Sequence, residues 1–320
     1  MTHRVLVTDK VALSGLYPLS NHRDVTVIAV DDSDGREFIS ELARAHALIV
    51  RSATDVSADL IGRAGELRAI GRAGVGLDNV DVAFATSRGV AVFNAPGANT
   101  VAAAELTIGL MLAVARRITA GEASVRANRW ERNAFTGVEL KGKTLGLIGA
   151  GRIGGEVATR SLAFGMEVIV YDPYLDDSRA AELGARLVGL DQVLDHSDFI
   201  SIHVPLTEET RGMLGGDALR RMKSSAHVIN ASRGGVIDES ALSLALGEGW
   251  IAGAALDVFA TEPLPPESPL REAPNLVLTP HLGASTFEAQ EGVATEVAEK
   301  IVSLLETGDK SEAVNARELV

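Results

Sequence analysis

The first hundred residues alternate short β-branched runs with stretches of helical length. RVLVTD, VTVIAV, HALIVRS, LRAIGRAG and GVAVFNAP read as five strands. Strands that alternate with helical segments imply a parallel sheet covered on both faces, because the chain must cross back over the sheet between neighbours. A second series starts at Lys143, with TLGLIG, EVIVYD, DFISIHV, HVINAS, AGAALDV and NLVLTP as strands. Two successive sheets predict an α/β protein of two domains, each a parallel sheet flanked by helices.

Between the two series lies VAAAELTIGLMLAVARRI, from Val101 to Ile118. It contains Glu105, closes on Arg116 and Arg117, and falls short of the roughly 20 apolar residues a membrane span requires. A buried helix is expected there, followed by a polar loop bearing Trp130 and Phe135. A last helical pattern runs from Thr286 to Leu305. Its return onto the first sheet would make that domain discontinuous, with residues 1–97 plus 286–320 forming one domain and 98–285 the other.

At 320 residues, 46% apolar and a mean hydropathy of +0.16, the chain is long enough for two cores. A net charge of −13 argues against nucleic acid or an anionic membrane as partner, since both need a basic field. A small anionic substrate stays open, because a few arginines can override the global sign locally. The absence of cysteine removes disulfides, thiolate nucleophiles and cysteine-ligated zinc, and no metal site is expected. With no signal peptide at MTHRVLVTDK, the expected compartment is the cytoplasm.

TLGLIGAGRIGGEVA carries Gly149, Gly151 and Gly154 as G-x-G-x-x-G between a strand and a helix. In that setting the first glycine permits the turn, the second lets backbone approach a pyrophosphate, and the third allows helix and strand to pack closely. Amides at the helix start, including those of Arg152 and Ile153, favour phosphate. Asp172 ends the next strand, 23 positions after Gly149, where a carboxylate accepts the ribose hydroxyls and repels the extra phosphate of NADP. The expected cofactor is NAD, and the expected architecture is two Rossmann-like domains with the active-site cleft between them.

Hydride chemistry on an alcohol needs a group to manage the hydroxyl proton. A Y-x-x-x-K pair is absent, because Tyr17, Tyr171 and Tyr174 are followed four residues later by Asn21, Leu175 and Ser178. Histidine remains as the acid–base. Of the seven, His203 ends a strand of the second sheet and could line the cofactor crevice, while His281 follows the last strand, in LTPHLGAS. Pro280 and Gly283 stop regular structure around His281, at the carboxyl edge where open α/β sheets bind ligands. Arg233, in VINASRGGVID, and Asp257 and Glu262, in GAALDVFATEP, follow strands in the same way. An arginine there can fork onto a substrate carboxylate, and a carboxylate beside histidine orients its ring.

This succession of dinucleotide turn, NASRGGVID, DVFATEP and PHLGAS resembles the D-2-hydroxyacid dehydrogenases over essentially the whole chain. IVRSATDV, GRAGVGLDNVD and WER resemble most the branch that acts on 3-phospho-D-glycerate, in its short form without a C-terminal regulatory domain. The resemblance implies a catalytic set of Arg233, Glu262 and His281, amides of Gly74 and Val75 for the substrate carboxylate, Asn99 near the substrate, and Asp257 on the nicotinamide carboxamide. His203, by its place at a strand end, is expected among the cofactor-binding residues. Arg51, Arg72 and Arg132 are candidates for a substrate phosphate, the last from the connecting loop or a neighbouring subunit. Sulfolactate, glycerate with hydroxypyruvate, and glyoxylate are the competing substrates. NAD-sensing corepressors share the fold and the triad and form the non-enzymatic alternative. A homodimer or dimer of dimers is expected from the apolar helix around Leu110 and the Trp130 loop.

Overall fold

The computed structural model of the chain describes residues 2–33 and 35–319. It divides into two compact units, Met1–Asn99 with Ala284–Val320, and Thr100–Gly283. The first holds five parallel strands, β1 (His3–Val7), β2 (Val25–Ala29), β3 (Ala47–Val50), β4 (Ala69–Arg72) and β5 (Ala91–Asn94), in the order β2-β1-β3-β4-β5. All four positions of β3 are buried, because helices cover both faces of the sheet.

The helix Phe287–Thr307 belongs to this first unit. Thr286 caps it by accepting the Ala289 N–H, and Gly308 ends it in the left-handed conformation at φ +77°. Its buried face is Val293, Ala294, Val297, Ala298, Ile301, Leu304 and Leu305, at helical spacing. Each fully buried Val, Ile or Leu contributes roughly 1.5–3 kcal/mol, which holds so late a segment on the first sheet.

The second unit carries seven parallel strands: β6 (Thr144–Ile148), β7 (Glu167–Tyr171), β8 (Arg186–Leu187), β9 (Phe199–Ile202), β10 (His227–Asn230), β11 (Gly253–Leu256) and β12 (Leu276–Leu278). Their order is β12-β11-β10-β9-β6-β7-β8. Only β8 lies outside the expected set; two residues at a sheet edge are too few to show a period. Successive residues face opposite cores, Val228 one way and Ile229 the other, which is why these strands read as unbroken apolar runs. The chain leaves β6 towards β7 and β8, then returns to β9 on the opposite side. That reversal opens a crevice beyond the carboxyl ends of β6 and β9.

One expectation is corrected. On the helix Thr100–Ala115, Leu110 is not available to a second copy: it is 3% exposed and packs with Ala104 and Met111 into the core of its own unit. The helix buries Ala103, Ala104, Ile108, Leu110, Met111 and Val114 and leaves Val101, Glu105 and Gly109 exposed. Among the described residues, no helix is long and apolar enough to cross a membrane.

Candidate functional site

β6 ends at Ile148, and the helix Arg152–Ala163 starts after the turn Gly149–Gly151, with Gly151 at its N-cap. Gly149 has φ +90°, and a Cβ there would lie 2.6 Å from the His203 carbonyl oxygen. A Cβ on Gly154 would lie 2.4 Å from the Gly149 oxygen. Both glycines are therefore demanded by the fold itself. Gly151 is different: a Cβ there would meet no protein atom within 4 Å, so its bareness leaves room for a group from outside the chain. Lying beside unpaired helix amides, that space fits a pyrophosphate.

Asp172 follows β7, half-buried, and accepts the Ala150 N–H through Oδ2 and the Tyr174 N–H through Oδ1, both at 2.9 Å. The two amides fix the carboxylate against the glycine turn. Each oxygen keeps acceptor capacity for a hydroxyl.

His203, beyond β9, hydrogen-bonds Ser201 Oγ through Nε2 at 2.8 Å. Desolvation pushes its pKa from 6.5 down to about 4, so the ring is neutral near pH 7 and cannot deliver a proton there. The unfolded chain takes up this proton first as the pH falls. Stability is therefore expected to drop between pH 6.5 and about 4, by at most about 3 kcal/mol from this group, and to gain nothing from it above 6.5. Denaturant unfolding at pH 7 and pH 5 should show a shallower loss in His203→Gln. Equal losses in variant and parent would exclude the buried neutral ring as the cause.

Three loops at the carboxyl ends of β10, β11 and β12 bring the other candidates together. Asn230 ends β10 and clamps the next turn: its Oδ1 accepts from Ser232 N–H and Oγ, and its Nδ2 donates to the Arg233 carbonyl at 2.9 Å. Beside Arg233, a Cβ on Gly234 would fall 1.9 Å from the Phe259 carbonyl oxygen. The glycine is what lets the β10 loop lie against the β11 loop that carries Glu262. Neither role shows in the sequence, where Asn230 closes the strand run HVINAS and Gly234 looks like an ordinary turn residue.

Glu262 Oε1 accepts the Phe259 N–H at 3.0 Å, and Oε2 lies 2.6 Å from His281 Nδ1. Burial pushes the carboxyl upward, but the hydrogen bonds from His281 and Phe259 and the charges of His281 and Arg233 outweigh it, leaving the pKa below the usual carboxylate value. Glu262 is thus ionised, and His281 donates Nδ1–H to it. That network assigns the tautomer and leaves Nε2 as the working atom. His281 is 49% exposed along its side chain and holds a left-handed backbone, φ +55°, a costly conformation that persists where the surroundings enforce it.

Asp257 does the enforcing. It has no exposed surface; Oδ1 accepts from Thr279 Oγ1 at 2.6 Å and Leu282 N–H at 2.7 Å, Oδ2 accepts Gly283 N–H at 2.9 Å, and its carbonyl accepts the His281 N–H at 2.9 Å. Burial raises its pKa against those hydrogen bonds. An enclosed carboxylate with three donors on it shapes the histidine loop, and Oδ2, with one of them, keeps acceptor capacity.

The remaining candidates lie in the first unit, except Arg132, which sits on the exposed turn Arg132–Phe135 of the second. Arg51 follows β3 and Arg72 ends β4, both half-buried. The Arg72 guanidinium crosses so close to Gly74 that a Cβ there would overlap it at 1.8 Å. The expectation for Gly74 is corrected: its N–H is taken by the Arg72 carbonyl at 2.8 Å. Val75 keeps its N–H free of hydrogen bonds among the described residues, while its carbonyl is held by Asn94 Nδ2 at 2.7 Å. Asn99 Oδ1 is buried with no hydrogen-bond partner among the described residues. Among the described residues, no group of His, Cys, Asp and Glu could hold a metal ion.

The family model described as D-isomer specific 2-hydroxyacid dehydrogenase, NAD binding domain, matches residues 108–283. D-3-phosphoglycerate dehydrogenase of Mycobacterium bovis is 48% identical over 97% of this chain, and the chain spans 58% of that relative's length. A solved structure of a Thermus thermophilus protein superposes with a TM-score of 0.88 at 36% identity, covering 97% of this chain and 99% of the other. A glyoxylate reductase from Paecilomyes thermophila superposes at 0.86 with 30% identity, covering 99% of each chain.

Proposed function

The chain belongs to the D-isomer-specific 2-hydroxyacid dehydrogenase family, and we propose that it interconverts a small anionic 2-hydroxyacid and its oxoacid with NAD, the substrate being 3-phospho-D-glycerate. The observation that carries this reading is the ionised Glu262 held 2.6 Å from His281, on the same sheet edge as the glycine turn. When bound, the nicotinamide supplies the hydride acceptor for oxidation. The chain manages everything else. Gly151 and the helix amides hold the pyrophosphate, and Asp172 takes the ribose hydroxyls and disfavours NADP. Arg233 forks onto the substrate carboxylate. His281 Nε2 removes the hydroxyl proton, and Glu262 stabilises the resulting imidazolium.

Arg51 supports the phosphorylated substrate. Arg51 is half-buried, and its guanidinium makes no ion pair or hydrogen bond among the described residues, in a chain with 43 acidic and 30 basic residues. Such a cation suits an anion at the far end of the substrate, with Arg72 and Arg132 assisting. NADH oxidation by a panel of 2-oxoacids tests the reading. Binding of NADH without turnover of any of them would leave a sensing protein in its place.

The reading includes a homodimer. Ile118 and Val125 lie seven residues apart on one face of the helix Ile118–Arg126 and are 54% and 57% exposed; Trp130 just beyond is 79% exposed. Light scattering of dilute protein is expected to give twice the 33.5 kDa chain mass, and a monomer mass would remove this part.

A further inference from the structure

We propose that Asp9 and Asn79 are positioning residues for substrate choice, holding the Arg51–Thr54 turn as a rigid seat for the substrate's distal anion. The inference rests on the reading of Arg51 given above.

β1 ends at Val7, and Thr8 still pairs with β3, its N–H donating to the Ile49 carbonyl at 3.0 Å. The chain then turns through Asp9 and Lys10, two successive non-glycine residues in the left-handed region at φ +65° and +52°. Side-chain sterics disfavour that conformation, so something must hold it. The turn aims the Asp9 carboxylate at the end of β3. Oδ2 accepts the N–H of Arg51 at 2.8 Å and of Thr54 at 3.0 Å, and Oδ1 accepts the Thr54 hydroxyl at 2.5 Å.

Asn79 closes the turn from its other side. Its Nδ2 donates to the carbonyls of Arg51 and Thr54, both at 2.7 Å. Asn79 is itself anchored, since its carbonyl accepts the Val56 N–H at 2.8 Å beside a bridge between Val56 and Val80. The backbone N–H and C=O of the turn's first and last residues are therefore satisfied by two side chains distant in sequence. Ser52 and Ala53, between them, stay exposed.

A surface turn does not need this, because water satisfies its backbone groups equally well. What the clamp adds is a fixed geometry beneath Arg51. With three donors on it, the Asp9 carboxylate is committed to the turn and does not pair with the Arg51 guanidinium. A cation held in place before binding loses little freedom on meeting an anion, and its contact then favours substrates that carry one.

The experiment measures kcat/KM for 3-phosphohydroxypyruvate and for hydroxypyruvate, which share the reacting end, in the parent, Asp9→Asn and Asn79→Ala. The expected result is a fall of about tenfold or more in the ratio of the two values in both variants, appearing in KM for the phosphorylated acid. Equal proportional losses on both substrates would overturn the inference, because a general folding defect acts on both. A parent that prefers the phosphorylated acid, with variants that keep that preference, would overturn the clamp alone. A parent with no preference would overturn the clamp and the reading of Arg51 together.

Discussion

His281→Ala is expected to lower turnover roughly a hundred- to ten-thousandfold, the range that a positioned acid–base contributes, while NADH still binds. The histidine works on the hydroxyl proton, and the cofactor's expected contacts lie on the glycine turn and Asp172. Fluorescence titration with NADH and steady-state kinetics separate the two effects. Glu262→Gln should keep more activity and, in the oxidative direction, move the pH profile to lower pH. The amide can still accept from Nδ1–H and orient the ring, but it cannot stabilise the imidazolium that forms when Nε2 takes the proton. A near-normal kcat in His281→Ala would remove the proposed mechanism. His203 could not replace it, since desolvation holds that ring at a pKa of about 4.

The second large effect is expected in the substrate. 3-Phosphohydroxypyruvate should oxidise NADH with a kcat/KM about a hundredfold or more above hydroxypyruvate, because charge-assisted contacts are worth roughly 1.5–3 kcal/mol each and two or more are lost with the phosphate. Hydroxypyruvate keeps the carboxylate and carbonyl that Arg233 and His281 act on, so the difference isolates the distal group. Arg51→Ala should erase much of the gap through the phosphorylated substrate. Sulfopyruvate belongs in the same panel, as its anion lies one bond closer to the carbonyl. If it outperforms the phosphorylated acid, the chemistry stands and the named substrate falls. Equal rates for all three would make Arg51, Arg72 and Arg132 surface residues.

Much of this was legible in the chain because its signals are local. A strand buried on both faces is an apolar run, and a late amphipathic helix with Thr286 before it and Gly308 after it shows its own ends. The glycine turn could be read for the same reason: Gly149 and Gly154 are required by contacts of the turn and its neighbouring strand, and spacing alone exposes such a motif. His281, Glu262 and Arg233 announced themselves as chemically capable residues placed after strands.

The tertiary structure decided matters that depend on residues far apart meeting. The stretch around Leu110 reads as a buried helix, but what buries it is decided in three dimensions, where β10, β11 and the helix Arg152–Ala163 pack against it. Asp257 shows in sequence only as a carboxylate after a strand, and the fold makes it the buried support of the histidine loop through three donors. Asp9 and Asn79 meet Arg51 across 42 and 28 residues, a distance over which no periodicity carries information. Sequence by itself determined the elements and the residues able to do chemistry, since propensity and motif are properties of neighbours along the chain. Which groups are fixed, enclosed or left to meet a ligand was decided by packing, where hydrogen bonds and desolvation act through space.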